Sequence, residues 1–72
     1  MHYQGVGIYR KDDQFVYVYL VGSAPLYIAI LPSRQTHLVS LYVFEGLGYT
    51  LYLPAEGRSL DQMLADHPEL LL

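Results

Sequence analysis

Ser40, the adjacent Asp12 and Asp13, and the run Arg34-Gln35-Thr36-His37 are the residues with the most capacity for chemistry. A serine becomes a nucleophile only beside a base. Ser40 stands in the apolar run 38–44, where a hydroxyl bonded to the backbone is the expectation. Asp12 and Asp13 follow Lys11 and read as a solvated turn, not as a carboxylate pair. Arg34, Gln35, Thr36 and His37 together could hold an anion, and Arg10 is a separate candidate for one. His2, His37 and His67 are far apart and the chain has no cysteine, so neither a metal site nor a cofactor is expected. Gly5-Val6-Gly7 lacks the strand-then-helix context of a dinucleotide loop. No catalytic residue is assigned, and the sequence reads as non-enzymatic.

Composition narrows the class further. Seventy-two residues predict one domain, near the lower limit for folding alone. Chains of this size usually need a disulfide, a metal or a partner subunit. Without cysteine or clustered histidine, a partner subunit is the support that remains. Hydrophobic residues make up 53% of the chain, with eight tyrosines, which is too apolar for disorder. Net charge is −3 and the four basic residues are scattered, which argues against a nucleic-acid surface. No basic leader precedes an apolar core at the N-terminus, so a cytoplasmic location is expected.

The elements that must carry these residues follow from the apolar pattern. Residues 14–33 hold no charge, and the stretch is long enough on paper to cross a bilayer. Gly22, Ser23 and Pro25 interrupt it, with aromatic and β-branched residues on both sides, so it reads as a hairpin and not as a membrane span. Strands are predicted over about 3–10, 14–21, 26–31, 37–44 and 49–53. A glycine-bearing turn at Glu45-Gly46-Leu47-Gly48 separates the last two. Ser59 predicts a helix over about 60–67: it can cap the first turn, Gln62 stands where it can bond back, and Pro68 disfavours continuation. The fold class is therefore mainly β, α+β. It is a five-stranded antiparallel sheet, open or partly closed into a small barrel, with one short C-terminal helix.

Covering that sheet is the difficulty. A strand that shows water one face alternates apolar with polar, but 14–21 and 26–31 are apolar on both parities. A helix of about eight residues is ~12 Å long and ~10 Å across, too small for both faces. Val16, Val18, Leu20, Ile28 and Ile30 form an aliphatic set, expected in the internal core. Phe15, Tyr17, Tyr19 and Tyr27 form an aromatic set, expected at an interface together with the tail Leu70, Leu71 and Leu72. The partner expected there is a second copy, a homodimer by default, or another protein.

One stretch resembles a known family. Gly5-Val6-Gly7-Ile8-Tyr9-Arg10-Lys11-Asp12 looks like the strand of Src-homology-2 domains that ends in the phosphotyrosine-binding arginine. Gly48–Leu53, followed by Ser59-Leu60 and Met63-Leu64, is similar to that family's closing strand and helix. The resemblance implies that Arg10 binds phosphate. The expected function is thus a small interaction module that self-associates through a tyrosine-rich face. The alternative is a small barrel or sheet taking an anionic or phosphorylated ligand near Arg10, or near Arg34 and His37.

Overall fold

The computed structural model describes residues 3–22 and 26–71. Among them lies one antiparallel sheet in the order β4-β3-β2-β1-β5, built from β1 (Tyr3–Lys11), β2 (Gln14–Val21), β3 (Leu26–Ile30), β4 (Gln35–Val39) and β5 (Thr50–Pro54). The expected open five-stranded sheet is present. It is not closed, so the barrel option falls. Of the expected break at Gly22–Pro25, all but Gly22 lies outside the described residues, as do His2 and Leu72.

The turn between β1 and β2 is tight because Asp12 takes a left-handed backbone (φ 54°), which Asp tolerates better than bulkier residues. From there β2 pairs with β3 over five consecutive positions, Val16↔Ile30 to Leu20↔Leu26. Strand β1 instead carries an irregularity between Gly5 and Gly7. Both glycines sit where a Cβ would strike something: the Tyr17 hydroxyl at Gly5 and the Leu53 carbonyl oxygen at Gly7. The absence of side chains there lets β1 pass close to its own core and to β5.

The strand predicted over 37–44 is not one element. β4 begins at Gln35 and ends at Val39, and helix α1 (Leu41–Gly46) follows. Ser40 caps it, its Oγ accepting the Val43 N–H at 3.1 Å. Leu47 closes the helix, donating its N–H to the Phe44 carbonyl, and Gly48 turns the chain with φ 85°. The reason is topological. β5 pairs with β1 on the far edge of the sheet and not with β4. Four inter-strand spacings, ~19 Å, must be crossed between them. A strand running straight past Val39 would leave the sheet, whereas α1 carries the chain across its face.

Helix α2 (Leu60–Asp66) forms as expected, with Gln62 N–H bonded to Ser59 Oγ at 3.1 Å. The Gln62 side chain does not return to the cap. Its Nε2 donates to Asp66 Oδ1 at 3.0 Å. His67 ends the helix, and Pro68–Leu71 form a 3-10 turn that buries Leu70.

The sheet therefore has cover on both faces, unequally. α2 and the 3-10 turn bring Met63, Leu64 and Leu70 against Ile8, Tyr17, Ala29 and Leu31. On the other face, α1 contributes Phe44 to a cluster with Val16, Val18, Leu26 and Ile28. Val16, Val18 and Ile28 of the aliphatic set are buried, and the tyrosine face, expected to be left for a partner, is part of the core as well. The C-terminal helix landed on the tyrosine face, and Tyr17 is 3% exposed. The aliphatic face is buried at its centre but receives a single fully buried side chain from α1.

Candidate functional site

Three tyrosines from neighbouring strands make a ladder on the α2 face. Tyr17 stacks on Tyr19 at 5.5 Å between ring centroids, and Tyr19 on Tyr27 at 5.4 Å. Tyr19 and Tyr27 are cross-strand partners, which sets their spacing. At the Ser59 end of α2 a cleft of about 350 Å³ opens over this ladder, lined by Tyr17, Tyr19, Arg34, Thr36, Ser59 and Asp61 among others. A neighbouring hollow of about 410 Å³ shares Tyr17 and Ser59 and adds Gln4, Gly57 and Arg58.

The cations around this region are already engaged. Arg34, held in a left-handed backbone (φ 65°), donates from Nη2 to Asp61 Oδ1 at 2.6 Å and so ties the β3–β4 turn to α2. Arg58 donates to the carbonyls of Pro54 (3.0 Å) and Ala55 (3.2 Å) and lies 3.5 Å from Asp66. These contacts brace the loop that leads from β5 into α2. Arg10 donates to the Asp12 carbonyl at 2.8 Å, with its guanidinium 5.8 Å from the Phe15 ring centre.

The alternative anion site at Arg34 and His37 is not assembled. Arg34 reaches α2, while His37 pairs with Ile28, whose side chain belongs to the opposite face. Strand alternation separates them: the loop arginine bends one way and the strand histidine points the other. Arg10 is committed to the β1–β2 turn. Among the described residues no three His, Cys, Asp or Glu side chains come together as metal ligands, and no charged side chain is buried.

The expected interface residues scatter too. Tyr17 and Leu70 (1% exposed) lie inside the chain's own core and offer no surface to a partner. Phe15 is half-buried, edge-on to Tyr52 at 4.9 Å, and Tyr19 and Tyr27 are half-buried in the ladder. Only Leu71 of the tail stands exposed among the described residues. At that end Tyr52 donates its hydroxyl to Glu69 at 3.1 Å. The bond raises the Tyr52 pKa. Glu69 is held below its ordinary value, first by a bond from its own backbone N–H, which outweighs desolvation, with further lowering from the Tyr52 hydroxyl and the neighbouring His67.

The apolar surface is elsewhere. On α1, Leu41 and Val43 are at least half exposed and Tyr42 is 87% exposed, with Leu47 just beyond the helix. Leu51 of β5 is exposed on the same side, where its partner Tyr9 packs edge-on to Phe44 at 5.2 Å. Sequence reasoning missed this surface because a six-residue helix rich in aromatic and β-branched residues looks like strand. Ser40 before it and Gly48 after it were the available signals. No helix among the described residues is long and apolar enough to cross a membrane. Comparison of the chain with protein-family models, curated proteins and solved structures returned no match, so the Src-homology-2 resemblance gains no support.

Proposed function

We propose that this chain is a small non-enzymatic protein–protein interaction module that self-associates through the α1 side of its sheet. One observation carries the reading: α1 turns Leu41, Tyr42 and Val43 outward while anchoring through Phe44 alone. A six-residue helix has little stability of its own. Outward apolar side chains add nothing to it in an isolated chain, but they do when a second surface covers them. Within α1 the only charge is Glu45, so a two-fold contact sets few like charges face to face. The half-buried Val6, Leu20, Ile30 and Val39 on the same face extend the surface available for burial. The absence of cysteine suits a reducing compartment, and we attach the cytoplasm to this reading.

Light scattering tests it. The wild-type chain at micromolar concentration is expected to show a multiple of the single-chain mass. Tyr42→Glu and Val43→Asp, both at exposed positions, should lower that mass while leaving the far-ultraviolet dichroism unchanged. A wild-type monomer, or variants that keep the wild-type mass, would overturn the reading.

A further inference from the structure

We propose that β4 is a docking edge on which a second copy of this chain lays its own β4, antiparallel about a two-fold axis at His37. Two five-stranded sheets then continue as one. This contact is separate from the α1 surface.

The two edges of the sheet are built differently. β5 ends in Pro54, which has no N–H to offer, and its pairing with β1 is broken by an irregularity between Ile8 and Tyr9. Proteins blunt free strand edges with such devices, or with charges. β4 has none of them. Gln35-Thr36-His37-Leu38-Val39 contains no proline, Lys, Arg, Asp or Glu, and it pairs with β3 at five successive positions without a bulge. Only Val39 of the five is even half-buried, and Leu38 is 58% exposed. α1 starts after Ser40 and departs across the face, and among the described residues no further strand pairs with β4.

The outward backbone N–H and C=O groups of such an edge are satisfied by an extended strand. A second β4 suits it on two counts. The strand has no Lys, Arg, Asp or Glu with which to select a charged foreign peptide, and self-pairing opposes none of these. The register is also fixed by symmetry. A two-fold axis normal to the sheet must pass through a residue position if each side chain is to stay on its own face. With the axis at His37 all five residues of β4 pair: Gln35 opposite Val39, Thr36 opposite Leu38, and His37 opposite itself. Moving it to Thr36 or Leu38 leaves only three of the five paired within the strand.

That register can be tested by charge exchange at two exposed positions. Thr36→Glu with Leu38→Glu places like charges opposite each other, and the mass by light scattering should halve. Thr36→Lys with Leu38→Glu places unlike charges opposite and should keep the wild-type mass. Mixing the Glu/Glu variant with a Thr36→Lys, Leu38→Lys variant should restore that mass, which also shows that both variants are folded. If the Glu/Glu variant keeps the wild-type mass, or the Lys/Glu variant halves as well, the inference is wrong. Loss of mass in Tyr42→Glu with none in the Glu/Glu variant would sink the edge contact and leave the α1 reading standing.

Discussion

Gly7 shows how a single missing side chain shapes this sheet. A Cβ there would meet the Leu53 carbonyl oxygen and crowd Leu51 and Pro54, so β5 could no longer lie against β1. Backbone cannot rotate aside as a side chain can. Gly7→Ala is therefore expected to cost about 2–3 kcal/mol, as overpacking does; urea denaturation would measure it, and an unchanged midpoint would refute the close approach. Glu69 makes a second prediction at this scale. Its pKa is lowered on folding by its own N–H and by the Tyr52 hydroxyl. Its contribution is present above the unfolded-state pKa and is lost as pH falls through the folded one. Wild type should thus lose more stability than Glu69→Gln between about pH 6 and pH 3, in the ordinary carboxylate range and just below it. Equal losses would contradict the bond.

Among the elements, α1 and α2 share one device: a serine whose Oγ takes an N–H of the first turn, Ser40 at Val43 and Ser59 at Gln62. They differ in anchorage. α2 buries Met63 and Leu64, whereas α1 buries only Phe44. Removing a cap costs about 1 kcal/mol. In α1 that loss falls on an element held by one side chain. Ser40→Ala should consequently loosen α1 locally, seen as faster amide exchange at Val43 and Phe44 with little change in the global midpoint. In Ser59→Ala the loss should appear in the global midpoint, because α2 covers the main core. The opposite pattern would show that the helices are anchored the other way round.

At the scale of the molecule, two layers of cover act on one sheet, and the thin one lies over an aliphatic face. If a second copy completes it, association and folding are linked. The apparent Tm should then rise with protein concentration, since whatever binds only the folded chain stabilises it by mass action. In Val43→Asp this dependence should weaken. A wild-type Tm that does not move over a hundredfold range would argue that the chain is stable by itself and that the α1 surface has no self-contact.

The sequence by itself determined what local chemistry can fix. The Asp12-Asp13 turn, the doubly apolar hairpin of β2 and β3 and the Ser59 cap were all legible, because neighbouring residues alone produce them. An antiparallel sheet followed from the same patterns, but whether it stays open or closes did not. Only the tertiary structure decided which face each helix covers. Tyrosine composition pointed to an interface, yet burial of Tyr17 depends on where β5 lies, since β5 delivers α2 to that face. Ser40 likewise caps a helix and does not continue a strand because the chain has to reach β1 from β4. Residues 38–44 favour strand when read alone, but the crossover overrides that preference, since no local pattern encodes which distant strand will pair.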